Sequence, residues 1–123
     1  MRLSLLWAIL YALLIIVLST IPGQSYPDTM WLSQDKIIHF CEYGIFAILL
    51  SRAFVSRATG QRQVLLFALV IAGTFGALDE TYQLLIPGRD SSYADWIADV
   101  TGALFGSFLY IRWKSYRDQA SAG

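Results

Sequence analysis

The chain of 123 residues is strongly apolar, with 56% hydrophobic residues, 15% charged residues and a mean hydropathy of +0.52. This composition argues against a soluble domain, in which about 25% of the residues are charged. The formal net charge is zero, so nothing favours a nucleic-acid partner, and the single cysteine, Cys41, excludes an intramolecular disulfide.

Four apolar segments predict four transmembrane helices. In chain order they cover about residues 3–21, 37–54, 64–86 and 93–113, and a tail follows at 114–123. Each is close to the roughly 20 residues that a helix needs to cross the hydrocarbon core, where open strands would leave backbone groups unpaired. The sequence therefore predicts an all-α, integral membrane four-helix bundle that forms one domain over residues 1–123. A cleaved signal peptide is the weaker alternative for the first segment, because its apolar stretch is long.

The basic residues predict the orientation of this bundle. Only Lys36 and Arg89 fall on one side of four crossings. The other side has seven basic residues: Arg2, Arg52, Arg57, Arg62, Arg112, Lys114 and Arg117. By the positive-inside rule, we expect both termini to lie in the cytoplasm.

The acidic residues have the opposite distribution. Only Asp118 is predicted to be cytoplasmic, which leaves a charge of +6 inside and −6 outside. The remaining eight lie in the outer loops or the outer halves of helices: Asp28, Asp35, Glu42, Asp79, Glu80, Asp90, Asp95 and Asp99. A carboxylate at a helix centre costs roughly 2.5–3.5 kcal/mol, so we expect the acids within the spans to have partners or a function.

Helical spacing places these acids on one face of each helix. Asp35, His39 and Glu42 share a face of the second predicted helix, and the same holds for Glu80 with Gln83 and for Asp95 with Asp99. Small residues continue two of the faces toward the cytoplasm: Gly73, Gly76, Gly102 and Gly106. The pattern predicts that helices 2, 3 and 4 pack closely toward the cytoplasm. Toward the outside, they are predicted to enclose a polar cavity that opens outward. Helix 1 has no ionisable residue in its span and is expected to support the bundle from the lipid side.

Four motifs occur in a recognisable order along the chain. They are D-K-x-x-H at 35–39, D-E-x-x-Q at 79–83, P-G-R-D at 87–90 and D-x-x-x-D-x-x-G at 95–102. Together they resemble the VanZ-like family over about residues 3–112. The resemblance implies a cell-envelope protein of the bacterial cytoplasmic (inner) membrane, in a family whose founding member is associated with teicoplanin resistance. It also implies an enzyme that transfers or hydrolyses phosphate-linked lipid or cell-wall precursor head groups, since the family has been grouped with such enzymes.

The catalytic set predicted for this chemistry is centred on the only histidine. His39 is suited to act as general base or nucleophile near neutral pH. Asp35 and Glu42 lie one turn away on either side and are expected to orient the imidazole. Asp79 and Glu80 complete the set.

The substrate-binding set contains both cations of the outer side. Lys36 and Arg89 are expected to hold phosphate, with Gln83 beside them. Asp95 and Asp99 are candidate metal ligands, and their hard oxygen atoms suit Mg²⁺, Mn²⁺ or Ca²⁺. The expected partner is a membrane lipid or a lipid-linked cell-wall precursor, and a homodimer remains open.

Other interpretations of the same residues stay open. A structurally paired histidine is the alternative for His39, and hydrogen-bonding contacts between helices are the alternative for Asp95 and Asp99. At the level of function, the main alternative is a non-catalytic binder of lipid or glycopeptide that supports envelope resistance. A proton or cation pathway is the weakest alternative, because the inner halves of the helices lack ionisable residues.

Overall fold

A computed structural model of the protein describes residues 2–22, 32–58, 60–89 and 91–123, without the side chains of 2 and 32–34. These residues form four α-helices and no strand: α1 Arg2–Ser19, α2 Leu32–Phe54, α3 Gln61–Gln83 and α4 Tyr93–Ala120. The predicted all-α fold with four helices is therefore confirmed. Asp28 and Asp90, two of the predicted outer acids, lie outside the described residues.

In the described ranges, two helical stretches are long and apolar enough to cross a membrane. They are Asp35–Phe54 in α2 and Gln61–Gln83 in α3. A shorter apolar stretch, Leu3–Ser19, forms α1. Its 17 residues would extend about 25 Å at the rise of an α-helix, slightly less than the usual hydrocarbon thickness.

Most helix ends differ from the limits of the predicted apolar segments. Helix α2 begins at Leu32, so Asp35 lies in its first turn, and α3 ends at Gln83 before a turn in which Gly88 has a φ of 72°. Helix α4 continues to Ala120 through a segment that the sequence assigned to the tail. An ion pair at i,i+4, Lys114 with Asp118, supports this extension because its charges meet on one helix face.

Close packing of α2 on α4 fixes the register of the bundle. A Cβ atom on Gly102 would overlap the carbonyl oxygen of Phe40, and one on Gly106 would overlap that of Gly44. Both contacts advance by four residues along each helix, so α2 and α4 run parallel with touching backbones. This is the close approach that small residues permit between membrane helices.

Below the polar end, the helices share an apolar core. Tyr43, with no exposed surface, packs among rings that include Phe46 and Phe75. The buried members of the core are Ala8, Ile15, Tyr43, Phe46, Ala47, Leu50, Ala68, Ala72 and Ala103. Helix α1 contributes the first two and packs on α2 and α3, while its opposite face exposes large apolar side chains such as Leu3 and Val17. The core thus packs α2, α3 and α4 together next to the polar end, where their acidic residues lie.

Candidate functional site

A buried cluster of ionisable residues forms where α2, α3 and α4 converge, with His39 at its centre. The Nδ1 atom of His39 lies 2.9 Å from Asp99 Oδ1 and 3.6 Å from Glu80 Oε1. With Asp99 ionised, its carboxylate can only accept, so Nδ1 carries the proton and donates a hydrogen bond to Asp99 Oδ1. Among the described residues, no hydrogen bond reaches Nε2, the other ring nitrogen of His39.

The partner of His39 comes from another helix and not from its own. Asp35 and Glu42 were expected to orient the imidazole, whereas Nδ1 pairs with Asp99 of α4. The backbone contact at Gly102, one turn after Asp99, draws this carboxylate against α2. Asp35 still lies near the ring, since its carboxylate, a His39 nitrogen and an Asp95 oxygen are mutually within 4.8 Å.

Glu80 is held by the segment that leads into α4. Its Oε2 atom accepts hydrogen bonds from Ser91 Oγ at 2.8 Å and from the backbone N–H of Ser92 at 3.2 Å. These two bonds occupy one oxygen and leave Oε1 on the side of His39. Neither serine was predicted from the sequence to bind Glu80.

Lys36 and Asp95 form an ion pair at the outer edge of the cluster. The Lys36 Nζ atom lies 2.8 Å from Asp95 Oδ1, and the Lys36 side chain is 35% exposed. Ser92 Oγ donates to Asp95 Oδ2 at 2.5 Å and accepts from the Asp95 backbone N–H at 3.2 Å, which caps α4. Both oxygens of Asp95 are thus used, although the carboxylate was predicted to bind a metal with Asp99.

Asp79 and Gln83 form a separate hydrogen-bonded group with α1. Asp79 Oδ2 accepts from Ser19 Oγ at 2.9 Å and from Gln83 Nε2 at 3.1 Å. Gln83 also donates to Ser19 Oγ at 3.3 Å. The structure therefore places Gln83, predicted to contact substrate, in an internal contact that joins α1 to α3. Ser19 was missed because a lone serine at the end of an apolar helix gives no functional signal.

Arg89 lies in the turn after α3. Its backbone N–H donates to the carbonyl oxygen of Ile86 at 3.2 Å, next to the left-handed Gly88. The guanidinium interacts electrostatically with Glu42 of α2, whose side chain is half-buried. The second predicted phosphate-binding cation therefore also lies near an acid.

Four polar atoms of this region are buried without a hydrogen-bond partner among the described residues. They are Tyr43 Oη, Asp79 Oδ1, Glu80 Oε1 and Asp99 Oδ2. Unpaired buried oxygens of this kind are costly, on the order of 1–3 kcal/mol each or more when charged. The cluster therefore has unused capacity to bind a proton, a water molecule or a cation.

Gly76 of α3 makes room for this arrangement. A Cβ atom at this position would lie 2.8 Å from Asp99 Oδ2 and 3.2 Å from a ring carbon of Tyr43. Either contact would force Asp99 or Tyr43 to move. Gly76 thus lets the Asp99 carboxylate lie between α2 and α3.

Within the part of the chain that the structure describes, two groups of residues have the geometry to hold a metal ion, and both contain His39. One consists of Asp35, His39 and Asp95, and the other of His39, Glu80 and Asp99. In each group the ligand atoms lie within 4.8 Å of one another. Because Lys36 and Ser92 already bind Asp95, the second group is better suited to a divalent cation. Asp95 and Asp99, the predicted metal pair, belong to different groups.

An open groove of about 690 Å³ reaches this cluster from the side, between α3 and α4. The groove lies on Glu80, so it leads to the carboxylate that faces His39. Its lining is Ala77, Glu80, Thr81, Leu84, Ser91, Ser92, Tyr93 and Trp96. This volume is in the range of small-molecule sites, and the lining combines apolar walls with a few polar groups.

Comparison with known proteins agrees with the motifs. No curated protein and no solved structure gives a match to the chain. The family model described as VanZ/LLP1 matches residues 4–114, a range that includes His39, Glu80 and Asp99. This match covers most of the sequence and confirms the predicted resemblance, so the chain belongs to the VanZ/LLP1 family.

Proposed function

We propose that the protein is a multi-pass envelope protein whose four helices lie in a bacterial cytoplasmic membrane. Membership of the VanZ/LLP1 family supports an envelope protein, and two helical stretches have the length and composition to span a bilayer. Large apolar side chains on the outer faces of the bundle favour lipid contact as well: Val17, Val70 and Leu78 are each more than 60% exposed. Soluble monomers rarely leave large contiguous apolar patches uncovered.

In this proposal the His39 cluster faces the extracytoplasmic side. Arg52, Arg57, Arg62 and the basic residues after residue 111 lie at the opposite end of the bundle. The positive-inside rule then places that end, with both termini, in the cytoplasm. Cysteine substitutions at Ser121 and Ser91, labelled with a membrane-impermeant maleimide on intact cells, test the orientation. Labelling of Ser121→Cys in place of Ser91→Cys would contradict it.

We further propose that the cluster transfers or hydrolyses the head group of a phosphate-linked lipid or cell-wall precursor. The observation that carries this proposal is the His39–Asp99 pair at 2.9 Å, with Glu80 joining the pair to the lateral groove. A histidine whose Nδ1 is fixed by a carboxylate has its Nε2 in the correct tautomer to accept a proton. A groove that opens between helices lets the acyl chain of a substrate remain in the bilayer.

The proposed reaction uses few groups. Nε2 of His39 takes the proton from water or an acceptor alcohol while the oxygen attacks phosphorus, and the bond from phosphorus to the leaving oxygen breaks. The imidazolium then returns the proton to the leaving oxygen, and Asp99 stabilises the transient charge. In the variant in which His39 acts as nucleophile, Nε2 attacks phosphorus while the bond to the leaving oxygen breaks, and the leaving oxygen takes a proton from water. Water or the acceptor alcohol then attacks phosphorus, displaces Nε2 and releases a proton. Lys36 and Arg89, which also interact with Asp95 and Glu42, are the two cations proposed to hold the phosphate oxygens.

Head-group release from labelled lipids by the purified chain tests the proposal. The panel consists of phosphatidylglycerol, phosphatidylethanolamine and an isoprenyl diphosphate-linked precursor, each assayed with and without Mg²⁺, Mn²⁺ or Ca²⁺. His39→Asn keeps an N–H near the position of Nδ1 for Asp99 but lacks Nε2, so it should remain folded and release no head group. The reaction proposal fails if no lipid in the panel is converted, or if His39→Asn is as active as the unchanged protein.

A non-catalytic binder is the second candidate. The internal contacts of Lys36 with Asp95 and of Gln83 with Asp79 favour it, because two predicted substrate contacts are already engaged within the protein. Binding of a lipid or a glycopeptide that persists in His39→Asn, without turnover in either protein, would support this candidate over the enzyme.

A further inference from the structure

A second groove lies at the opposite end of the bundle, between the last turns of α2 and the extended end of α4. It is about 680 Å³ in volume and open to the surface. The lining residues are Ile48, Leu49, Arg52, Leu109, Tyr110, Trp113, Lys114, Arg117 and Asp118. None of these residues belongs to the His39 cluster, so this groove is separate from the candidate site.

The charge of the groove is positive. Arg52, Lys114 and Arg117 line it together with one acid, Asp118, which gives a net charge of +2. The Nζ atom of Lys114 lies 2.6 and 2.7 Å from the two carboxylate oxygens of Asp118. This ion pair neutralises itself, so Arg52 from α2 and Arg117 from α4 supply the net charge. An anionic group is therefore the complementary ligand.

The apolar and charged residues of the groove are separated along the helix axes. Because α2 and α4 run parallel, Ile48 and Leu49 precede Arg52 in the same direction as Leu109 precedes Arg117. Leu109 and Arg117 are separated by about 12 Å along the helix. One end of the groove is therefore apolar and the other cationic, which is the distribution of an amphiphilic ligand.

Aromatic side chains mark the boundary between these two parts. The Arg117 guanidinium lies 4.9 Å from the ring centroid of Trp113, and the ring of Tyr110 lies 5.8 Å from the same ring. Trp113 is half-exposed in the groove. Tryptophan and tyrosine favour the level of lipid head groups, and the contact with Trp113 holds Arg117 near the groove.

We propose that this groove binds one anionic phospholipid of the cytoplasmic leaflet. The phosphate group lies between Arg52 and Arg117, and an acyl chain lies against Ile48, Leu49 and Leu109. The lipid bridges α2 and α4 at the end where α4 extends beyond its partner. This inference rests on the proposed membrane orientation, but it does not depend on any reaction at His39.

Native mass spectrometry of the full chain in neutral detergent tests the proposal. The His39→Asn protein is used, so that turnover at the other end cannot consume the lipid. Phosphatidylglycerol should be retained at one equivalent and phosphatidylcholine should not. Each arginine near an anionic lipid surface contributes roughly a fivefold gain in affinity, so Arg52→Gln with Arg117→Gln should weaken retention by at least about tenfold.

The matched control is Arg57→Gln with Arg62→Gln. These two arginines are exposed at the same end of the bundle and do not line the groove, so the net charge changes equally while the groove stays intact. An equal loss of phosphatidylglycerol in both double variants would overturn the proposal in favour of general charge attraction. Equal retention of phosphatidylcholine, or displacement of the lipid by millimolar inorganic phosphate, would overturn it as well.

Discussion

Replacement of Asp99 by Asn is expected to abolish head-group release. Asp99 has no exposed surface, and its Oδ1 accepts the hydrogen bond from His39 Nδ1 at 2.9 Å. The amide of an asparagine can instead donate to Nδ1, which moves the imidazole proton to Nε2 and removes the base. A positioned general base contributes about 10²–10⁴ in rate, so the rate should fall by at least about 100-fold.

The same substitution should leave the bundle folded. Exchange of the charge-assisted hydrogen bond at Asp99 for a neutral one from the asparagine amide costs at most on the order of 1–3 kcal/mol. Part of this cost is offset, because the substitution removes a negative charge beside Glu80 and Asp79, both of which have a buried oxygen without a hydrogen-bond partner in the described structure. We therefore expect a large loss of rate with a small decrease in Tm, a combination that misfolding would not produce.

The assay compares initial rates of head-group release with thermal unfolding in the same detergent. Ser107→Ala is the control, since Ser107 lies on the same helix, is fully buried and hydrogen-bonds Ser51 at 3.2 Å, remote from His39. It should keep its rate within about threefold. A folded Asp99→Asn protein with a rate within about threefold of the unchanged protein would refute the role of Asp99, as would an equal loss of activity in Ser107→Ala.

Two further predictions concern stability. Gly102→Ala should destabilise the bundle by about 1–3 kcal/mol or more, because the new Cβ overlaps the Phe40 carbonyl and pushes α2 away from α4. Thermal unfolding measures this effect, with Gly60→Ala as the control because a Cβ there meets nothing within 4 Å. Equal Tm values in the two variants would contradict the prediction. Ser19→Ala should cost about 1–3 kcal/mol, because it removes a buried hydrogen bond to Asp79. An unchanged unfolding midpoint in Ser19→Ala would show that α1 does not depend on this bond.

Sequence periodicity is sufficient to predict the convergence of α2, α3 and α4. The acids recur at helical spacing, so each helix has one polar face, and a polar face must turn inward in an apolar surrounding. His39, Glu80 and Asp99 lie on these faces, and their meeting in one cluster is therefore predictable from the sequence. The faces follow from the 3.6-residue period alone, which is a property of each helix by itself.

The pairing within the cluster could not be predicted in the same way. The partner of His39 depends on how far α4 is shifted along α2, and this shift is set by backbone contact at Gly102 and Gly106. A displacement of one turn would bring Asp95 or Ala103 opposite the imidazole instead of Asp99. The hydrogen bond from Ser19 to Asp79 could not be predicted either, because it depends on the angle at which α1 meets α3.

The arrangement of charges answers an objection to phosphate chemistry at an acidic site. A cluster of carboxylates would repel a phosphate group if all of them met it directly. Lys36, however, lies one turn outside His39, with its side chain 35% exposed and Asp95 buried beneath it, and Arg89 lies near Glu42. Under the proposed function, a phosphate group that approaches from the outer end would therefore meet Lys36 and Arg89 before it meets Glu80 and Asp99. Lys36→Glu, which reverses the outer charge, should then weaken lipid binding far more than Asp99→Asn does. Retention of labelled lipid measures this binding. Equal retention in the two variants would contradict this order of contacts.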